Sequence, residues 1–191
     1  MTAIAPQFTA LSLAEFLNRP ETKPASEFIN GCIYQKAMPQ GKHSRIQTRF
    51  SAEINQRLEL NRVGCAFTEL RCTFGSRSIV PDISVFAWER IPFNPNGEIE
   101  NAFAIHPDWT IEILSPGQSP IRVIDNIVFC LNQGTQIGWL IDPEDKLVLV
   151  FQPNQLPVTK QLADETLPVL AGLNDWQLNV GELFSWLNFG S

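Results

Sequence analysis

The segment from residue 109 to residue 143 constrains the fold more than any other part of the chain. It opens with the apolar run WTIEILS, which a Ser-Pro-Gly sequence ends, as expected for a buried strand. The stretch SPIRVIDNIVFCLNQG predicts a helix with Ser119 as its N-cap, Pro120 at its first position and Gly134 at its end. A second apolar run, QIGWLIDP, follows. This strand–helix–strand unit predicts parallel strands in one sheet, with the helix packed on them.

The remaining chain supplies further elements around this unit. We predict an α/β (α+β) fold, in which a mixed β-sheet is flanked by helices, with an N-terminal hairpin and a C-terminal helical tail. The predicted helices are a short one within 11–20, an amphipathic one at 41–60 and one at 119–134 with an apolar stripe of Ile121, Ile124, Val128 and Leu131. We predict a hairpin at 26–38 that turns at Asn30-Gly31, and strands at 65–75, 78–88, 109–115, 136–143 and 145–153. A short strand and a closing helix are predicted within 167–187, where Trp176, Phe184 and Trp186 belong to the core.

Length and composition fit one domain. The 191 residues, 44% of them hydrophobic, suit a single domain over 1–191, with its core at 25–152 and a C-terminal extension at 153–191. No apolar run approaches the ~20 residues that cross a bilayer, and the first residues lack the basic and apolar regions of a signal peptide. We therefore expect a cytoplasmic protein without a membrane span. The 4 cysteines form no CxxC pair, so we expect buried free thiols and no zinc site.

Two of the predicted strands each carry a lone carboxylate. Asp82 follows a proline at the start of VPDISVF, and Glu112 lies inside WTIEILS. An unpaired buried carboxylate is costly, so each must be solvated, paired or bound to a metal ion. If the two strands are neighbours, both side chains converge at one edge of the sheet. Two oxygen ligands on rigid strands suit Mg²⁺, which keeps several of its waters.

The helix at 41–60 adds two further candidates. Glu53 borders its apolar stripe and is a candidate third metal ligand, and His43 points inward. Structural explanations stay open for all four residues, because ion pairs also place carboxylates near cores. They are a turn cap for Asp82, a pairing with Arg71 or Arg122 for Glu112, a solvated helix flank for Glu53 and a buried structural role for His43.

The distribution of charge favours contact with nucleic acid along one part of the chain. The net charge of −6 argues against a protein that coats nucleic acid non-specifically. Residues 36–90, however, carry nine basic and five acidic side chains. The candidates for contact with a phosphate backbone are His43, Arg45, Arg49 and Arg71. Surface solubility explains the same bias without any partner.

Several runs together resemble the Uma-type family, which is similar in fold to the PD-(D/E)XK, restriction-endonuclease-like nucleases. The matching runs are EFINGCIYQKAMPQGKHSRIQ, VPDISVFAWERIP, DWTIEILSPGQS and CLNQGTQIGWLIDPEDKLVLV, within residues 25–152. The resemblance implies an αβββαβ core, a divalent cation (Mg²⁺ or Mn²⁺) and hydrolysis of phosphodiester bonds. It assigns Asp82 and Glu112 to the metal-binding positions. His43 and Glu53 fall in the first helix, where related nucleases often carry an extra acid.

One position departs from the nuclease motif. The motif expects a lysine two residues after the second acid, and this chain has Leu114 there. Family members are thought to supply a lysine from the following helix, but that helix contains only Arg122 as a cation. Arginine can offset developing negative charge, although it is a poor general base. Gln118 could orient a water molecule, so Arg122 and Gln118 are the candidate substitutes in catalysis.

Two functions of different classes follow. The first is a Mg²⁺-dependent endonuclease acting on nucleic acid, with DNA favoured as the substrate. The second is an inactive nuclease-like module that binds nucleic acid or a protein, which the missing lysine and the acidic net charge favour. A homodimer is compatible with both.

Overall fold

The computed structural model describes residues 11–173 and 175–189. The expectation that no signal peptide is present concerns residues 1–10, which lie outside the described residues. The helices are α1 (Leu13–Leu17), α2 (Gly41–Leu58), α3 (Pro120–Asn132) and α4 (Val180–Ser185), with a short 3-10 helix at Trp88–Arg90. The strands are β1 (Ser26–Ile29), β2 (Cys32–Gln35), β3 (Gly64–Thr68), β4 (Cys72–Phe74), β5 (Arg77–Ile79), β6 (Ile83–Ala87), β7 (Trp109–Ile113), β8 (Ile137–Asp142), β9 (Leu147–Phe151) and β10 (Val158–Lys160).

Two sheets organise these strands. The larger sheet has the order β10-β9-β8-β7-β6-β3, and the smaller sheet has the order β2-β1-β5-β4. Strands β7 and β8 are parallel and joined by α3, as the strand–helix–strand unit predicts, and every other strand pair is antiparallel. The mixed sheet flanked by helices and the N-terminal hairpin are therefore confirmed. The tail ends in the predicted helix, α4, whereas its strand, β10, comes earlier than predicted.

The hairpin β1–β2 turns where the sequence predicts. Asn30 and Gly31 have φ values of 51° and 80°. Both residues thus adopt the left-handed conformation of a two-residue turn that matches the twist of the flanking strands, which explains the Asn-Gly dipeptide. The turn fixes the register of the hairpin and so the position of the residues that follow β2.

The runs at 65–75 and 78–88 form four strands and not the two that we predicted. The first run breaks after β3, where Glu69 has a left-handed φ of 51°. The second breaks between β5 and β6, at Val80-Pro81-Asp82, where proline lacks the N–H that a ladder requires. The two halves next to the turn between the runs, β4 and β5, pair in the smaller sheet. The other two halves, β3 and β6, pair in the larger sheet. Asp82 consequently lies at the junction of the two sheets.

The predicted apolar stripe of α3 was wrong in half of its residues: Ile124 and Leu131 pack against a core cluster, whereas Ile121 and Val128 do not. Ile121 is 72% exposed and Val128 is 39% exposed. The side that packs on the sheet instead carries Val123, Asn126, Ile127 and Cys130. The sequence is apolar on most sides of this helix, so the spacing alone did not identify all of the buried positions.

Helix α2 packs on the opposite face of the larger sheet. Its Ile46, Phe50, Ile54 and Leu58 are fully or almost fully buried against that sheet and against the C-terminal segment. Trp176, Phe184 and Trp186 belong to this cluster, which confirms them as core residues. Among the described residues, no helix is both long and apolar enough to cross a bilayer.

Candidate active site

The pairing of β6 with β7 brings the two lone carboxylates together. The ladder pairs Ser84 with Thr110 and Ile83 with Ile111. Continued by one residue, this register sets Asp82 opposite Glu112. Side chains alternate along a strand, so the carboxylate of Glu112 lies on the sheet face opposite the packing surface of α2. Asp82 lies just before β6, at the end of the strand. Asp82 is 2% exposed and Glu112 is 5% exposed, so both need partners.

Donors surround the carboxylate of Asp82. Its Oδ2 accepts hydrogen bonds from the backbone N–H of Ile113 at 2.7 Å and from Nε2 of His43 at 3.0 Å. Its Oδ1 lies 2.5 Å from the ammonium Nζ of Lys36. Gln47 of α2 donates to the backbone carbonyl of Asp82 at 2.9 Å. The side chain is therefore fixed from three directions, by the backbone of β7, by α2 and by the lysine that follows the hairpin.

The ammonium of Lys36 lies between the two carboxylates. Besides Oδ1 of Asp82, its Nζ approaches Oε2 of Glu112 to 3.7 Å and donates to the carbonyl of Val80 at 2.6 Å. Lys36 directly follows β2, where its backbone N–H donates to the carbonyl of Ala25. The hairpin thus places a lysine beside the carboxylates, although Lys36 precedes Glu112 by 76 positions in the sequence. Sequence reasoning missed this residue, because nothing local to QKAM distinguishes it from a surface lysine.

A third buried carboxyl group comes from the same hairpin. Glu27 of β1 is 6% exposed. Its Oε1 accepts from the backbone N–H of Val80 at 2.8 Å, and its Oε2 accepts from Nδ2 of Asn126 at 3.0 Å. Sequence reasoning also missed this residue, because β1 reads as an ordinary hairpin strand. Together, Lys36, Asp82, Glu112 and Glu27 form what we call the charged cluster.

The carboxyl groups of the cluster differ in proton affinity. Burial raises the pKa of Glu112 well above its ordinary value, against the opposing charge of Lys36, and the neighbouring Asp82 and Glu27 reinforce the rise. Burial likewise raises the pKa of Glu27. Burial acts in the same direction on Asp82, but Lys36 and His43 outweigh it and hold the pKa of Asp82 well below its ordinary value. The pKa of Lys36 is raised, because the nearby carboxylates outweigh the effect of burial. The cluster therefore combines a charged Asp82–Lys36 pair with two protonatable glutamates.

Two cavities open onto the charged cluster. The outer cavity, of about 610 Å³, is lined by residues that include Lys23, Lys36, His43, Leu70, Asp82 and Gln118. The inner cavity, of about 250 Å³, is lined by residues that include Glu27, Tyr34, Lys36, Glu112, Arg122 and Asn126. Lys36, Ala37 and Gln118 border both. Nδ1 of His43, which borders the outer cavity, is buried and has no hydrogen-bond partner within the described part of the chain.

The structure brings the two candidate catalytic substitutes close to the cluster. Oε1 of Gln118 accepts from the backbone N–H of Ser115 at 3.1 Å, so the side chain is held between the cavities. The guanidinium of Arg122 lies 3.9 Å from the ring centroid of Tyr34, on the wall of the inner cavity. Neither Arg71 nor Arg122 forms an ion pair with Glu112, whose cationic neighbour is Lys36.

The structure does not bring Glu53 to the two acidic strands. It lies ten residues beyond His43 on α2, which is about 15 Å along the helix axis. Its carboxylate pairs with Arg57 and, at 2.5 Å, with Arg49. A third carboxyl group near the pair comes from Glu27 of the hairpin instead.

The other candidates for nucleic-acid contact are engaged within the protein. Nε of Arg45 donates to the carbonyl of Trp186 at 2.9 Å. Arg71 forms a two-pronged contact with Glu21, at 2.8 and 2.6 Å, and stacks over Phe16. Among the four residues proposed for this role, His43 alone is in direct contact with the charged cluster.

Comparison with known proteins identifies the family. Residues 13–181 match the model of the Uma2 family, described as "Putative restriction endonuclease". The chain belongs to the Uma2 family. A solved structure, described as a "putative nuclease belonging to DUF820 from Anabaena variabilis ATCC 29413", is 53% identical and superposes with a TM-score of 0.91, over 93% of this chain and 99% of that chain. The search of curated proteins found no match.

Membership of the Uma2 family and this likeness establish a nuclease-like fold. The resemblance inferred from the sequence is thereby confirmed. The positions that the sequence marks, Asp82 and Glu112, are the ones that β6 and β7 place side by side at the junction of the two sheets. Lys36 and Glu27 complete the cluster in this Uma2 chain.

Proposed function

We propose that the protein is a nuclease that hydrolyses phosphodiester bonds of nucleic acid with the help of a divalent cation, Mg²⁺ or Mn²⁺. The observation that carries the proposal is the convergence of Asp82 and Glu112 on one ammonium group, at 2.5 and 3.7 Å. Once Glu112 releases its proton, the two carboxylates supply the charge and the oxygen donors that a metal ion requires.

The residues present fit such an ion. Asp82 and Glu112 would hold it, and hard oxygen donors are what Mg²⁺ prefers. The described residues contain no cluster of three or more histidine, cysteine or acidic side chains arranged as a metal site, so two carboxylates and water would complete the coordination. When bound, the ion would polarise a phosphoryl oxygen and lower the pKa of a water molecule.

The protein's own groups hold and orient the substrate-facing atoms. His43 and the Ile113 N–H bind Oδ2 of Asp82, which leaves Oδ1 directed toward the cluster. The ammonium of Lys36 supplies a fixed positive charge where negative charge develops on the phosphoryl group. Lys36 thus takes the role of the lysine that position 114 lacks, and we prefer it to Arg122, which stacks on Tyr34. Gln118, between the two cavities, is placed to orient water or substrate.

A metal-dependence assay tests this function. We expect wild type to cleave single- or double-stranded DNA or RNA in Mg²⁺ or Mn²⁺, and Glu112→Gln to lose at least about 100-fold in rate. Glu100→Gln, at an exposed position that lines neither cavity, is the matched control and should keep the wild-type rate. Equal rates for Glu112→Gln and wild type would assign the activity to another site or to a contaminant.

Thermal stability separates the nuclease from an inactive module. We expect Mn²⁺ to raise the melting temperature of wild type, because an ion that binds only the folded state stabilises it. Glu112→Gln should lose most of this shift, and Glu100→Gln should keep it. If wild type shows no shift and no cleavage, the chain is a nuclease-like scaffold without catalysis.

A further inference from the structure

We propose that nucleic acid enters this site as a single strand, so that the substrate is single-stranded or locally unpaired polynucleotide and not intact duplex. The inference rests on the proposed function and names the substrate class of the same site. Three features of the structure carry it: the depth of the reacting groups, the size of the cavity that leads to them and the pairing of the surrounding cations.

The first feature is depth. The side chains of Asp82 and Glu112 are 3% and 6% exposed, and that of Lys36 is 10% exposed. Glu112 borders the inner cavity, which also reaches exposed side chains such as Gln35 and Arg122. A duplex is a stiff rod that presents its phosphates on a convex surface. It contacts groups on the surface of a protein, whereas a single strand has the backbone freedom to enter a recess.

The second feature is the cavity itself. About 610 Å³ falls within the ~300–1,000 Å³ typical of pockets that enclose a small ligand, which is the scale of single nucleotides and not of a duplex. Its walls come from several separate parts of the chain, among them the segment 21–25, the residues 36–39 after the hairpin, the residues 69–71 and the loop that contains Asn101. Enzymes that act on recessed nucleotides take them out of the base stack, and unpairing is least costly where the strand is already single.

The third feature is the state of the basic side chains. Duplex binding depends on several cations that neutralise phosphates. Here Arg71 is paired with Glu21, Lys42 with Glu144 and Arg49 with Glu53. Arg49 and Arg71 are two of the residues proposed from the sequence for contact with a phosphate backbone, and their acidic partners compete with phosphates for them.

The cavity itself offers the surface that a single strand requires. Lys23 lies on its wall and Lys36 at its base, beside apolar surface from Leu70 and from Met38, which is 65% exposed. Single strands are usually bound by a cationic groove with aromatic side chains on which the bases stack. In this cavity Leu70 and Met38 supply apolar surface in place of rings. The outer cavity therefore suits a flexible strand that places one phosphate at Lys36.

The test compares one sequence in three forms. Labelled oligonucleotides are prepared as a single strand, as a fully paired duplex closed by a hairpin at each end, and as the same closed duplex with an internal unpaired bubble. Cleavage in Mn²⁺ is measured for wild type, Glu112→Gln and Ala37→Trp, which fills the passage between the cavities. Ala52→Trp, at an exposed position of α2, is the matched control. Ala25→Trp replaces Ala37→Trp if the latter lowers the melting temperature.

We expect wild type to cleave the single strand and the bubble at least about ten times faster than the paired duplex, because unpairing costs free energy. Ala37→Trp should lose this activity, and Ala52→Trp should keep it. Glu112-dependent cleavage of the closed duplex at the rate of the single strand would overturn the inference and leave the proposed function intact.

If the protein cleaves none of the three oligonucleotides, the proposed function is refuted. The binding of the oligonucleotides then tests the inference on its own. Fluorescence anisotropy in EDTA then compares the three oligonucleotides. Tighter binding of the single strand, lost in Ala37→Trp and kept in Ala52→Trp, supports the inference. Equal or tighter binding of the duplex, or no binding of any form, overturns it.

Discussion

The two faces of β7 contrast sharply. Toward α2 the strand presents Trp109, Ile111 and Ile113, which are at most 2% exposed within the largest core cluster. Toward the other side it presents Thr110 and Glu112, and Glu112 faces the lysine of a distant hairpin. Adjacent residues of one five-residue strand therefore serve an apolar core and a charged cluster.

The two faces are stabilised in different ways. On the core side, Phe50 of α2 contacts the rings of Trp109, Trp139, Trp176 and Trp186, with centroids 5.3–5.9 Å apart. Apolar contacts of this kind tolerate substitution of one side chain by another apolar side chain of similar volume. On the charged side each group depends on one partner, since a buried charge without its counterion is strongly destabilising. The core should therefore tolerate substitution better than the cluster.

The largest effect is expected when the cation of the cluster is removed. Lys36→Met keeps a similar length but leaves the Asp82 carboxylate buried without its nearest counterion. We expect a loss of about 3–5 kcal/mol in the free energy of unfolding, measured by urea denaturation in EDTA. The double substitution Lys36→Met/Asp82→Asn removes both charges and should recover more than half of that loss. A double variant as unstable as the sum of the single variants would show that Lys36 acts through packing and not through charge.

A smaller effect is expected from the core face. Phe50→Leu removes one ring from the aromatic group and leaves an aliphatic side chain in its place. We expect a loss of about 1–2 kcal/mol in the free energy of unfolding. The nuclease rate per folded molecule should stay at the wild-type level, because Phe50 packs in the apolar core and the residues of α2 that contact Asp82 are His43 and Gln47, in its first two turns. If Phe50→Leu lowers the rate more than Glu100→Gln does, the two faces are coupled through the helix.

The same contrast explains what the sequence could predict. Periodicity and turn residues predicted the hairpin, α2 and the parallel β7–β8 pair, because those features depend on local spacing. The neighbouring positions of Asp82 and Glu112 followed once the two strands were assumed adjacent. Lys36 and Glu27 could not be found, because their roles arise only when the hairpin docks beside the larger sheet. The prediction of the apolar stripe of α3 was partly wrong for a related reason, since only the packing determines which side of the helix is buried.

The last expected effect is a change in the pH dependence of stability, which amounts to at most about 1.4 kcal/mol over each pH unit. Glu112 has a pKa that burial raises above its value in the unfolded chain, which is near 4.5. Below that value both states hold the proton, so the stability associated with the protonated group is fully present. As the pH rises further, the unfolded chain releases the proton while the folded protein retains it, and stability is lost until the pH passes the folded-state pKa.

Glu112→Gln removes this proton exchange and keeps a side chain that can donate a hydrogen bond to Asp82. Relative to wild type, the variant should therefore become progressively more stable as the pH increases from 5 toward neutrality, by at most about 1.4 kcal/mol per pH unit. Asp82 has the opposite shift, and the stability that it contributes is lost only as the pH falls toward its lowered pKa. Urea denaturation in EDTA at several pH values measures the difference between the two proteins. A difference that stays constant with pH would mean that Glu112 is already ionised in the folded protein. The charged cluster would then hold an additional buried negative charge, which would require a further cation to balance it.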